Sequence, residues 1–387
     1  MKRTSLLLLG LLIVLVLFVG CPQPEKTPET EKPGTVTPSP TTPTTYDYLK
    51  FTLIEDGSAY EVSFANIKSA DIVNIPSSYE GKPVTRIAAE GFFRNSMIKK
   101  VNLPSSIKSI GEKAFYDCPY LGEVIFSESS GCIIESNAFY NCTKLKTVTI
   151  AEGVTSIGEK AFYNCENLTI EKLPNTLLII GKNAFENCSK LDVDLPSSVT
   201  SIGESAFSSC KALTSITVPS GVSSIENYTF YGCESMTGLT LPNGLTSIGS
   251  GAFQGCYKIT KVEIPNSVKT IGEYAFYACR ALAAINIPNG ITSIEPYTFS
   301  QNRALPSITL PETITSIKEG AFQESKIESI YIPASCTSIG KQAFYSCAVL
   351  KTINFGGTEA QWANITKGEY WNSKTNTSFT VNYNQTP

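Results

Sequence analysis

From Cys256 to Phe276 the chain reads CYKITKVEIPNSVKTIGEYAF, with apolar residues at Ile259, Val262, Ile264, Val268, Ile271 and Phe276 and polar residues between them. The Val262 to Ile264 run alternates with period two, and the Val268 to Ile271 run is short and β-branched, so each predicts a strand. Pro265 has no N–H to give a ladder and predicts the turn between them. From Gly272 to Cys279 there is no β-branched residue and apolar residues recur three apart, which predicts a short helical or 3-10 turn.

The pattern recurs along the chain. Phenylalanines fall at Phe92, Phe115, Phe139, Phe162, Phe185, Phe207, Phe230, Phe253, Phe276, Phe299, Phe322 and Phe344, so that eight of eleven gaps are 23 residues and the others are 22 or 24. A fixed period in the twenties predicts a repeat solenoid, in which each coil is one supersecondary unit that must stack on its neighbours to bury its apolar face. About 12 coils are expected, each sending roughly six side chains inward, too few to order one coil alone. Four residues before the phenylalanine stand Gly111, Gly158, Gly181, Gly203, Gly249, Gly272 and Gly340, but other coils place Glu135, Glu226, Glu295 and Lys318 there. A left-handed backbone would strain Glu and Lys, so the column is expected to be extended and tight.

Composition narrows the function classes. The 387 residues contain no histidine, which removes the Ser-His-Asp triad, the Cys–His dyad, His-ligated metal and the ordinary general base near neutral pH. No motif places a carboxylate pair or a Ser–Lys pair instead, so an enzyme is not expected, and no cofactor is implied. The formal charge of −3 becomes −5 if Lys2 and Arg3 leave with a leader, and no Lys/Arg cluster interrupts the repeats. Nucleic acid is therefore not an expected partner.

Nine of the twelve cysteines share one column, three residues after the phenylalanine: Cys118, Cys142, Cys165, Cys188, Cys210, Cys233, Cys256, Cys279 and Cys347, with Asn95, Asn302 and Ser325 in the other coils. Alternation of Cys with Asn predicts a buried structural ladder that satisfies backbone groups at a turn. Zinc is not expected, since no C-x-x-C occurs and ligands would be strung one per coil. Stacking at about 5 Å would bring the column within disulfide reach, but parallel Cβ vectors favour free thiols. Cys336 fills an apolar core column, and Cys132, in the 24-residue coil, is the thiol expected to be exposed.

The ends differ from the repeats. Residues 1–20 have a basic start and an apolar run ending at Gly20, before Cys21, the pattern of a secretory leader with a lipoprotein cleavage site; Phe18 stands where the strictest form has Leu. Cys21 is the expected lipidation site, and the lipid the only expected contact with membrane. The alternative is an uncleaved anchor helix, for which the run is marginal in length. Residues 21–45 are dominated by Pro, Thr, Glu and Lys, with almost no apolar residue, and predict a disordered tether, able to span up to roughly 70 Å as polyproline II. Residues 46–71 predict a capping hairpin turning at Asp56-Gly57, residues 72–355 the solenoid, and residues 356–387, with Trp362 and Trp371, a cap folded over the last core.

The unit SSIKSIGEKAFYDCPYLGEVIF (Ser105 to Phe126) and its copies, with the entry VNIPSSYEGKPVTRI and the exit GGTEAQWANI, resemble the BspA-like, or Treponema pallidum type, leucine-rich repeat family over about residues 60 to 365. Glu171 in an otherwise apolar strand column and the 22-residue coils depart from the pattern and predict local bulges. The resemblance implies a right-handed superhelix of short parallel strands. It also implies a bacterial outer-membrane or cell-surface location and adhesion to host matrix proteins or to other bacteria, but it supplies no site residues.

Strand alternation gives the partner face. Outward positions of the first strand include Thr147, Thr149, Ser215, Thr217, Thr240, Lys261, Glu263, Asn286, Thr309 and Tyr331, a small, hydroxyl-rich face expected to bind a host or bacterial surface protein. Beside it, Phe93, Tyr116, Tyr140, Tyr163, Tyr231, Tyr277 and Tyr345 follow the core phenylalanine. Rings there either pack on the adjacent coil or anchor a partner, and aromatics with hydroxyls make a glycan the alternative ligand.

Overall fold

The computed structural model describes residues 46–65, 70–127, 131–375 and 378–387. The leader, the tether and Cys21 lie outside the described residues. From Tyr46 onward the chain is one compact unit, a parallel β-solenoid whose coils each contribute up to two short strands. The second strands form the more continuous ladder. Val154–Ile157 pairs Cys132–Ile134 and Ile179–Ile180, which pairs Ser201–Ile202, all parallel and one coil apart.

The hydrophobic periodicity builds the core directly. All twelve phenylalanines are fully buried, and successive rings stack with centroids 4.9–5.9 Å apart and planes within 2–21° of each other. One aromatic column thus runs through the whole solenoid. The glycine column is extended and tight: a Cβ on Gly203 would sit 2.5 Å from the Lys182 nitrogen in the previous coil, and none of the seven glycines has positive φ.

The arm around the phenylalanine is not a 3-10 turn. It is a run of hydrogen-bonded turns, Ala114 N–H to Gly111 O (3.1 Å) and Tyr116 N–H to Lys113 O (3.0 Å), while alternate N–H groups leave the coil: Lys113 to Ser136 O, Phe115 to Ala138 O and Asp117 to Tyr140 O, at 3.0, 2.7 and 2.7 Å. Alternation is possible because residues two before and two after the phenylalanine are left-handed, as at Lys113 (φ 55°) and Asp117 (φ 54°), and this repeats coil after coil. A non-glycine residue there costs about 1–2 kcal/mol, which inter-coil bonds worth about 1 kcal/mol each offset. The signal was in the sequence: the column two after the phenylalanine includes Asp117, Asn141, Asn164, Asn187, Gly232 and Gly255, the residue types that tolerate positive φ.

The first-strand ladder is interrupted where the repeat is irregular. Strands Lys100–Leu103, Glu123–Phe126 and Thr147–Thr149 pair in series, but the next coil retains only an isolated bridge between Thr147 and Thr169. There Glu171 turns outward and Ile170 takes the buried place. The ladder resumes at Ser215–Thr217 with Gly238–Thr240, and again at Lys261–Val262 with Ala284–Ile285.

Both ends are closed by chain. Leu49–Leu53 and Tyr60–Phe64 form an antiparallel hairpin whose second strand joins the solenoid sheet, with Gly57 at φ 66° in the turn. At the other end the coil pattern does not stop at Phe355. Thr366–Lys367 pairs Ser338–Ile339 and Thr380–Asn382 extends the first-strand ladder, so a degenerate thirteenth coil lies on the twelfth. Trp371 sits edge-on to Phe344 (6.1 Å) and Trp362 to Phe355 (5.2 Å). Glu359–Asn364, the one α-helix among the described residues, starts with a capping box between Thr358 and Gln361.

Candidate functional site

The cysteine column is structural in its geometry. Each of its nine thiols donates to the carbonyl of the phenylalanine one coil earlier, from Cys118 on Phe92 to Cys347 on Phe322, at 3.0–3.3 Å. In the first coil Asn95 fills the column and accepts from the backbone of Met97 and Ile98. Asn302 is the exception, fully buried with neither amide atom partnered. Burial pushes the thiols of Cys142, Cys165, Cys188, Cys210, Cys233, Cys256, Cys279 and Cys347 upward, Cys256 to about 12 and Cys347 to about 11. Cys132 is buried, not exposed: it occupies the inward column opposite Val154, and desolvation raises it to about 12.

On the first-strand face, Thr147, Thr149, Ser215, Thr217, Thr240, Lys261, Glu263, Asn286 and Thr309 are exposed. Tyr331 is not. Its ring folds against the stack where Gly356 leaves room, a Cβ there falling 2.6 Å from the hydroxyl, and it donates to Glu312 Oε1 at 2.6 Å. Burial first, then that carboxylate, raise the Tyr331 hydroxyl to about 12. Strand alternation alone could not show this, because the missing side chain is in the next coil.

Four of the predicted residues converge. Between the strand pairs of Gly238–Thr240 and Lys261–Val262 the face opens into a shallow groove of about 740 Å³, lined by Thr240, Lys261, Glu263 and Asn286 over an apolar floor of Leu239, Val262 and Ile285. Lys261 Nζ lies 2.6 Å from Glu263 Oε1, and its hydrogen bond and charge hold that carboxyl below its ordinary value. Asn286 donates to Ile264 O and accepts from Ile264 N–H (2.8 and 2.7 Å), tying the coils together. Asn286 and Thr309 also line a neighbouring hollow. Thr147, Thr149, Ser215 and Thr217 stand farther along the face, outside both. Among the described residues no three His, Cys, Asp or Glu side chains gather at metal-binding distance.

A profile of the BspA type leucine-rich repeat region, of six copies, matches residues 58–169, 132–256, 223–351 and 269–384. Among solved structures, a leucine-rich repeat protein from Bacteroides ovatus is similar at 22% identity over 88% of this chain and 100% of that one, with a TM-score of 0.56. The pneumococcal vaccine antigen PcpA is similar at 20% identity over 87% and 97%, with a TM-score of 0.54. These two likenesses concern the fold alone. No curated protein matches the chain. Overlapping profile matches run from the capping hairpin through the thirteenth coil and enclose the whole stretch from Phe92 to Cys347 over which the phenylalanine and cysteine columns keep register, and the chain belongs to the BspA-type leucine-rich repeat family.

Proposed function

We propose that this protein is an interaction scaffold displayed at a bacterial surface, tethered by lipid on Cys21, that adheres to a host matrix protein or to another cell through the first-strand face. The observation that carries the reading is the groove at Thr240, Lys261, Glu263 and Asn286, where an exposed ion pair, one hydroxyl and amide side chains surround an apolar floor. Apolar floor with polar rim is the anatomy of a protein interface. The flanking Ser215 and Thr217 extend it along the solenoid, so binding is spread over several coils, with a few anchors contributing most.

The test is a block variant, Thr217→Ala, Thr240→Ala, Lys261→Ala and Glu263→Ala together, in the full chain. Asn286 is left intact because it holds Ile264. Binding to immobilised matrix proteins and to bacterial cells is expected to disappear while thermal melting stays cooperative, and Thr217→Ala alone is expected to weaken it only modestly. Normal binding by the block variant would reject this face.

A further inference from the structure

The aromatic column after the core phenylalanine divides in two. Phe93, Tyr116, Tyr140 and Tyr163 stack face to face at 4.6–5.2 Å, so each covers the next. The following coils place Glu186 and Ser208 in the column, then Tyr231, then Gln254, then Tyr277. Tyr231 therefore has no ring beside it in its own column. It meets Tyr228 edge-on instead, 6.1 Å away at 76°, and the two rings are 38% and 40% exposed. Gly251 makes room for Tyr228: a Cβ there would fall 2.4 Å from Tyr228 Cε1.

Around these rings is a cleft of about 490 Å³, lined also by Glu186, Ser205, Ser208 and Gln254 and bounded by Tyr274. Ser205 and Ser208 are only 9% and 5% exposed. Neither hydroxyl, nor the Gln254 amide, nor the hydroxyls of Tyr228 and Tyr231, has a side-chain hydrogen bond among the described residues. Glu186, which lines the cleft, accepts from Asn183 through Oε2. No basic side chain lines the cleft.

We propose that this cleft binds a neutral hexose unit of a glycan, its C–H face on Tyr231 and Tyr228 and its hydroxyls on Ser205, Ser208, Gln254 and Glu186. The Ser205, Ser208 and Gln254 polar atoms are open to solvent at the cleft, and a ligand that both donates and accepts around its rim takes over the hydrogen bonds that water makes there. An apolar peptide side chain would leave Ser208 unpaired, and an anionic ligand would meet Glu186 with no cation to balance it. The cleft shares no residue with the strand-face groove, so the two sites stand or fall separately.

The full chain is titrated calorimetrically with cellotetraose, mannotetraose and galactotetraose. Saturable binding of at least one is expected, weakened about tenfold by Tyr231→Ala through loss of ring contact, largely retained in Tyr231→Phe, and reduced several-fold in Ser208→Ala; the strand-face block variant binds it unchanged. If Tyr231→Ala lowers the melting temperature, Ser208→Ala and Gln254→Ala carry the test, since they remove hydroxyl partners without removing a ring. No saturable heat with any of the three sugars, or undiminished affinity in folded Tyr231→Ala or in both smaller variants, overturns the proposal. So does capture of a peptide at this cleft by a chain that binds none of the sugars.

Discussion

Phe253→Ala tests whether the aromatic column is what joins the coils. Phe253 is fully buried with ring centroids 5.6 Å from Phe230 and 5.5 Å from Phe276, so truncation removes contacts on both sides. Its backbone N–H keeps its bond to Ala275 O, and the strand ladders of the flanking coils hold the walls apart, which limits collapse into the cavity. The cost should be about 3–5 kcal/mol. If roughly 300 residues melt together, with an unfolding entropy near 0.6 kcal/mol/K, about 4 kcal/mol lowers the melting temperature by about 6 °C. Phe253→Leu, which keeps most of the volume, should cost no more than about 1.5 kcal/mol. Because coils contact only their neighbours, hydrogen exchange should accelerate first in the coils of Phe230, Phe253 and Phe276. A loss below about 1 kcal/mol, or acceleration spread evenly along the chain, would refute the reasoning.

The thiol column makes stability fall in alkali. In the column the folded thiols of Cys347 and Cys256 lie at about 11 and about 12, and outside it that of Cys132 at about 12, against an ordinary 9.0, so below pH 9 they are protonated in both states. As pH rises above 9 the unfolded chain ionises first, and each of these raised thiols removes on the order of 1.4 kcal/mol per pH unit until its folded value is reached; the fall in melting temperature from pH 7 to 10.5 should be steeper than in a variant with Cys256 and Cys347 replaced by Ser. The same thiols should resist alkylation in the native protein and all react on denaturation without reductant; pairs that need reductant would show disulfides. Asn302→Cys should stabilise by about 1–3 kcal/mol, by replacing two buried unpartnered amide atoms with a thiol able to reach the Phe276 carbonyl, and an unchanged melting temperature would count against the ladder's role. Cys21→Ala should abolish fatty-acid labelling and release the protein from membranes, and labelling that persists would remove the lipid anchor.

The sequence by itself determined the solenoid, because burial has the same period as the chain: one phenylalanine, one cysteine or asparagine, and a fixed set of β-branched residues recur coil after coil and have no other way to be covered. It also marked the irregular coil at Glu171, since a charge in an apolar column forces the alternation to flip. Strand alternation placed Thr240, Lys261, Glu263 and Asn286 outward, where they are exposed. What it could not carry was anything decided between coils. The left-handed residues two before each phenylalanine, among them Lys113, Lys160 and Tyr297, follow from hydrogen bonds to the next coil, whereas the Asn, Asp and Gly two after it were a legible signal; Cys132 is buried in register with Val154 of the next coil. Tyr331 is covered because Gly356 has no side chain one coil away. The groove and the tyrosine cleft arise in the same way, from a ladder that opens between two coils and from rings whose stacking partners are missing in the neighbours, and such vacancies belong to the stack, not to any one repeat.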